Sequence, residues 1–312
     1  MKKIKAAIIF ISFIIILLLV AIIILKLYEG KKKNIEHVEI NKNLVQLNSR
    51  SSYFDIKNCV NQYYQSLEQN NIEYMAEEGE LNEQYIIQKY KALLDQEYIK
   101  EFGITDEYIL ATYKDANMEF IIDNIYKKDY TENLSLYFVY GRNINYNTNQ
   151  AEKTGLIIKT DTKNSSFSVY PYEYIAKYNL EEKELHKNID TIKEPKELKI
   201  NEYNFLGEAN IYDELIIEEY LNKFKLDIQY SPELIYDKLY ETYKKENFKS
   251  KEEFLEKAEA LKGKILESQL KDYTIETNDN ETIYKCVDTE GIYYMFKEKA
   301  LFDYTIFLDF NI

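Results

Sequence analysis

The sequence predicts an α+β protein: an N-terminal transmembrane helix followed by two domains, each with helices first and a curved antiparallel sheet after. Three observations carry this. Residues 6–25 are apolar throughout, interrupted only by Ser12. Beyond residue 51, apolar residues recur at helical spacing and then give way to runs rich in β-branched and aromatic residues. That change of period occurs once in each half of the 312-residue chain.

The apolar run comes first. Twenty residues at 1.5 Å rise span about 30 Å, the thickness of a bilayer's hydrocarbon core. Backbone groups in lipid must bond to one another, so the segment is expected to be a helix. A cleavable signal peptide has an apolar region of only about 7–15 residues and ends in a small-residue cleavage site. This run is longer, Lys26-Leu27-Tyr28-Glu29 has no Ala-x-Ala character, and no cysteine lies near for lipid attachment. An uncleaved signal anchor is expected, with residues 1–5 as a cytoplasmic stub. Lys2, Lys3 and Lys5 precede it, and Lys26, Lys31, Lys32 and Lys33 follow it, offset by Glu29. Local charge therefore barely sets direction. The brevity of the leader favours the N-terminus inside and the bulk outside the cell membrane. The alternative is a cytoplasmic bulk hung on the inner leaflet.

The whole chain carries a net charge of −14. Residues 1–33 hold seven lysines and one glutamate, so the remaining 279 residues carry −20. Phosphate backbones repel so acidic a body, which argues against nucleic-acid partners. Tyrosine is abundant at 31 residues, tryptophan is absent, and glycine (8) and proline (3) are scarce. With heavy use of Lys, Asn, Ile and Glu, this is the composition of an AT-rich genome such as a low-GC Gram-positive bacterium. Most tyrosines are expected in core and half-buried positions, although they also suit a binding surface. The two cysteines, Cys59 and Cys286, are 227 residues apart and read as small buried thiols. The two histidines, His37 and His186, both fall in segments read as connectors, and no Cys/His spacing suits zinc.

Residues 26–51 are polar without a sustained period and read as a stalk. Ser52 and Asp55 make a helix start, with Ile56, Val60, Tyr63, Tyr64 and Leu67 on one face. A second helix is expected over residues 82–101, with Ile86, Tyr90, Leu93 and Leu94 on one face and Gly103 as its stop. Strands follow at residues 118–126, 134–140, 155–160 and 167–170, the last closed by Pro171. Residues 52–175 thus read as a first domain. Residues 176–207 read as a linker with a short helix near 181–187 and a strand at 198–200. The second domain, residues 208–312, repeats the order. Asn210 and Asp213 open a helix carrying Ile217, Tyr220, Leu221 and Phe224. Ser231-Pro232 opens another, with Ile235, Leu239 and Tyr243 four apart. Ser250 and Glu253 form a capping box for a third, with Phe254, Ala258, Leu261 and Ile265 inward. Strands are expected near residues 273–277, 282–287, 292–296 and 302–309.

Helices followed by a curved antiparallel sheet resemble the cone fold of the nuclear transport factor 2 superfamily. Two such units behind one transmembrane helix resemble the architecture of TcpC-type conjugation proteins of Gram-positive bacteria. The resemblance covers about residues 52–312 and rests on element order. No motif matches residue by residue, so it brings no functional residues with it.

The residues alone assign no catalytic, cofactor-binding or metal-binding position. Enzymes of this fold place an Asp/His or Tyr/Asp pair inside the cone, and neither predicted domain contains a histidine. Tyr170/Glu173 and Tyr304/Asp303 are Tyr/acid pairs that composition alone would produce. Gly141, Gly155 and Gly291 read as isolated turn residues with no phosphate loop around them. Asn278-Asp279-Asn280-Glu281 is oxygen-rich, yet it sits where a hairpin turn is expected. The expectation is a non-catalytic, membrane-anchored, extracytoplasmic protein-interaction scaffold of a bacterial envelope complex. Its partners would be the bilayer, through residues 6–25, and other envelope proteins. The alternatives are a ligand-binding or sensing module with a Tyr/Phe-lined cone, and then a cone-fold enzyme.

Overall fold

The computed structural model describes residues 44–67, 83–112, 118–185, 208–277 and 281–309. The expected transmembrane helix, the cytoplasmic stub, most of the stalk, both histidines, the strand at 198–200 and most of the oxygen-rich turn lie outside them. Among the described residues no helix is long and apolar enough to cross a membrane.

The first half opens with strand β1 (Val45–Gln46), which pairs antiparallel with Lys127 and Tyr126. The sheet thus draws on the segment expected to be stalk, because Leu44 and Leu47 are apolar and bury beside the strand. Helix α1 (Arg50–Gln65) starts earlier than expected: Ser49 is its cap and accepts from the Ser52 amide at 3.3 Å. Tyr53, Ile56, Val60 and Tyr63 form its buried face. The helix expected over residues 82–101 is two, α2 (Glu83–Leu93) and α3 (Gln96–Phe102). Between them Leu94 forms a parallel bridge to Val169, and the Asp95 amide donates to the Val169 carbonyl at 2.9 Å. Asp95 then caps α3, and Gly103 ends it in the left-handed region, φ 60°, as its position predicts. A further helix, α4 (Asp106–Thr112), was not anticipated.

Strands β2 (Met118–Asp129), β3 (Leu134–Asn145), β4 (Gln150–Asp161) and β5 (Ser166–Tyr170) follow as an antiparallel meander in the order β1-β2-β3-β4-β5. All run beyond their apolar centres, since ladder bonding continues through polar residues that reach solvent. A bulge lies between Ile122 and Asn124. Gly141 and Gly155 are not turn residues: they sit inside β3 and β4. A methyl at Gly141 would collide with the Ile121 carbonyl, and one at Gly155 would crowd the Val139 carbonyl. Only Gly291 occupies a turn, with φ 80°. Helices α5 (Tyr172–Lys177) and α6 (Glu182–Leu185) pack back on the sheet through Ile175, Leu180 and Leu185, so the segment read as linker begins as part of the first half's core.

The second half runs α7 (Glu208–Tyr230), α8 (Pro232–Lys238), α9 (Glu241–Asn247) and α10 (Lys251–Leu261). Strands β6 (Leu270–Thr277), β7 (Thr282–Asp288), β8 (Tyr293–Ala300) and β9 (Asp303–Asp309) then form a second antiparallel meander. The predicted α7 face, Ile217, Tyr220, Leu221 and Phe224, is fully buried. Ser250 accepts from the Glu253 amide at 3.3 Å, so the capping signal holds. The helix expected to carry Ile235, Leu239 and Tyr243 breaks at Leu239. That residue bridges Ile306 in parallel, while the Tyr240 amide donates to the Ile306 carbonyl at 2.8 Å. The same device therefore appears twice: a buried leucine between two short helices, tied to the last strand of its own half. Among the described residues both halves run four helices and then four meander strands, with this tether in the same place. Their buried residues form one continuous apolar cluster.

Candidate functional site at the junction of the halves

Side chains of the first helix of each half reach the other half's sheet, and a network of buried ionisable groups forms there. Arg142, on β3, is 3% exposed. Its guanidinium forks onto Asp123, with Nε to Oδ2 at 2.9 Å and Nη2 to Oδ1 at 3.0 Å. Its Nη1 stands 2.6 Å from Oδ1 of Asp227, an α7 residue that is 1% exposed. Asp123 sits at the β2 bulge, which re-aims its side chain. It also receives Lys223 of α7, whose ammonium donates a second bond to the Ile122 carbonyl at 3.1 Å. Burial works to raise the Asp123 pKa, but Lys223 and Arg142 outweigh it and hold the carboxyl near 2. Two cations and two anions thus balance where α7 meets the first sheet. Lys238 lies alongside with its ammonium 3.9 Å from the Tyr304 ring centre. Burial, with Lys223 beside it, pushes Lys238 down to about 8.

The reciprocal contact starts from α1. Arg50 reaches the second sheet and donates from Nη2 to Glu298 Oε1 at 3.1 Å and to the Tyr284 hydroxyl. Its Nη1 pairs with Asp213 of α7 at 3.2 Å. Glu298, on β8, also accepts from Tyr220 and Tyr284. Burial raises its pKa against the opposing pull of Arg50. One turn along α1, the Tyr53 hydroxyl donates to Glu219 at 2.5 Å, and Lys57 pairs with the same carboxylate. The turn after β8 closes the contact: the Leu301 amide donates to Asn48 Oδ1 at 3.0 Å, and the Tyr53 and Phe302 rings meet edge to face at 5.1 Å.

Of these charged groups sequence reasoning named only Asp213, and that as a helix start, whereas the helix begins at Glu208 and Asp213 pairs with Arg50. One signal was there to find. The chain contains two arginines among its 40 basic residues, Arg50 and Arg142, and both lie at this junction. A composition that favours lysine almost everywhere keeps arginine where a planar fork must satisfy buried acceptors.

Of the candidate site residues singled out in the sequence, Tyr304 borders this junction through Lys238, and the others fall elsewhere. Glu173 is approached by the hydroxyls of Tyr98 and Tyr108 (3.4 and 3.5 Å), whereas Tyr170 hydrogen-bonds to Asp95. Tyr304 is buried on the face of β9 opposite exposed Asp303. Cys59 and Cys286 are free thiols, and burial pushes them up to about 11 and about 12, so neither is a thiolate at neutral pH. Tyr63 and Tyr90 join hydroxyls at 3.1 Å inside the first half, and Tyr220, Tyr284 and Tyr294 are fully buried in the second. Many tyrosines therefore serve as core, as composition suggested. Among the described residues no cluster of three His, Cys, Asp or Glu side chains is placed to hold a metal.

A cleft of about 630 Å³ opens on this junction. Lys57, Asn61 and Tyr64 of α1 line one wall, the start of β2 its floor, and Asn222, Lys223 and Leu226 of α7 the other wall. Tyr64 stacks on Phe120 at 5.1 Å within it. Lys57 and Lys223 each face a carboxylate, and Lys225 donates to the Ser268 carbonyl. The arrangement is suited to holding two halves together and to receiving a polar, partly apolar guest. Comparison with known proteins returns no matching family model, no similar curated protein and no similar solved structure.

Proposed function

We propose that this protein is a membrane-tethered interaction scaffold of a bacterial envelope complex: two modules of the nuclear transport factor 2 cone type, displayed outside the cell by a transmembrane helix at residues 6–25. The observation that carries this reading is Arg50. It leaves the first half, enters the second, and completes there a buried network with Glu298, Tyr284 and Tyr220. In this reading, Glu298 and Tyr284, buried polar groups of the second half, bond to the chain's own arginine. With Arg142 and Asp227 making the reciprocal tie, the halves form one interlocked body, which suits presenting fixed surfaces to partners.

Cross-linking in intact cells followed by mass spectrometry tests the scaffold. Envelope proteins should be recovered with the chain, and recovery of the chain alone under several growth conditions would sink the idea. Protease shaving of whole cells tests orientation, since protection of the acidic bulk until lysis would place it inside. A ligand-binding module is the second reading, favoured by the junction cleft, whose volume lies within the range of small-molecule sites.

A further inference from the structure

We infer that the start of β2 is a docking edge for an extended peptide segment of a partner protein, which adds to the first sheet as a strand inside the junction cleft. This deepens the scaffold reading and rests on it.

The argument begins with backbone direction. β3 pairs with β2 along its whole length, but on the other side β1 covers only Tyr126 and Lys127, and the Leu47 amide adds one bond to the Ile125 carbonyl at 2.8 Å. Among the described residues nothing pairs with that outer edge from Met118 to Ile122. The Ile121 carbonyl points towards β3, where it lies against Gly141. The Ile122 carbonyl points the other way, where it accepts Lys223. Successive residues of a strand alternate in this respect, and β2 pairs with β3 without a shift between Met118 and Ile122. Met118 and Phe120 therefore present their N–H and C=O groups outward into the cleft.

Those four groups set the guest's chemistry. Donors and acceptors alternating at strand spacing are matched by another extended backbone, which forms main-chain bonds regardless of side chain. Lys223 marks the end of the site, since it already occupies the Ile122 carbonyl in the way lysines commonly blunt strand edges. Phe120 stacks on Tyr64, so an added strand finds an aromatic surface on the α1 side. It also finds the apolar side chain of Leu226 across the cleft. A segment with apolar residues at alternate positions fits, continuing the line that β1 begins.

The test uses the full chain in detergent micelles. The probe is a labelled heptapeptide of alternating valine and threonine, blocked at both ends, compared with the same peptide N-methylated on alternate amides. The unmodified peptide should bind, and the N-methylated one about 25-fold more weakly, as expected for losing two net hydrogen bonds at about fivefold each. Met118→Pro removes an outward N–H at the first residue of β2 and spares the β3 ladder. It should weaken binding about fivefold with unchanged far-UV circular dichroism. Asn222→Trp fills the cleft from α7 without touching β2 and should do the same. Equal binding of both peptides, or binding of neither, overturns the inference. So does protection of the Phe120 amide from hydrogen exchange in the free chain, which would mean that the chain already pairs with its own edge. In cells, partner cross-links that survive Met118→Pro unchanged overturn the docking edge while leaving the scaffold standing. An absence of partners for the unaltered chain overturns the scaffold, whatever the peptide does.

Discussion

Replacing Asp227 by asparagine should loosen the two halves from each other. Asp227 is 1% exposed and faces Arg142, which is 3% exposed, at 2.6 Å. With the charge gone, Asp123 alone must neutralise both Arg142 and Lys223, with Lys238 close by. Removing one partner of a buried pair costs about 3–5 kcal/mol, because the remaining charge stays out of water. Asparagine keeps an acceptor for the guanidinium, worth about 1 kcal/mol. The expected loss is therefore about 2–4 kcal/mol. At roughly 2–4 °C per kcal/mol, a 3 kcal/mol loss lowers Tm by about 6–12 °C. The chain has no tryptophan, so tyrosine fluorescence and far-UV circular dichroism are the probes for urea unfolding. Arg142→Met should cost a similar amount, and the double variant should lose clearly less than the sum. Asp227 also helps to keep Lys238 protonated, so its pKa should fall further in Asp227→Asn. A loss under about 0.5 kcal/mol, additive with Arg142→Met, would refute the reasoning that buried charges lock the halves together.

Other predictions concern single features. The Glu298 carboxyl is raised by burial, so the folded chain holds its proton more tightly than the unfolded one. The stability this gives is present below the ordinary glutamate range and lost as pH rises through the raised value, and Glu298→Gln should flatten that part of a stability-versus-pH curve. Lys238 is depressed to about 8, so the unfolded chain binds the extra proton between about pH 8 and 10.5, and stability should rise with pH across that window. Lys238→Met should abolish the rise when followed by urea titration. Gly141→Ala should cost about 3 kcal/mol in the same assay, because its methyl meets the Ile121 backbone rather than a side chain that can turn away. Ser250→Ala removes the α10 cap and should cost about 1 kcal/mol in the same assay.

Local chemistry was legible in the sequence. The α+β class, the capping at Ser250, the stop at Gly103 and the buried face of α7 all follow from residues within one or two turns of each other, and all are present. The helix breaks at Leu94 and Leu239 were not legible. An apolar residue in phase with a helix reads the same whether it continues the helix or leaves it to bridge a distant strand, and the choice is made by Val169 and Ile306. Gly141 and Gly155 were misread for a related reason. Glycine marks close backbone approach as well as turns, and only the neighbouring strand shows which applies. The β2 edge was hidden because exposure of a backbone group depends on what fails to pair with it.

By itself the sequence determined that the chain has helices ahead of a strand meander in each half, an acidic body, an apolar N-terminal run and only two cysteines and two histidines. Those properties are sums over residues or patterns along a few turns, and no contact is needed to read them. Tertiary structure alone decided that Arg50 and Arg142, 92 positions apart, each reach into the other half, and that Asp123, Glu219, Asp227 and Glu298 meet cations. The energy of a charge depends on its partner and on its distance from solvent, and neither is written in the order of residues along the chain.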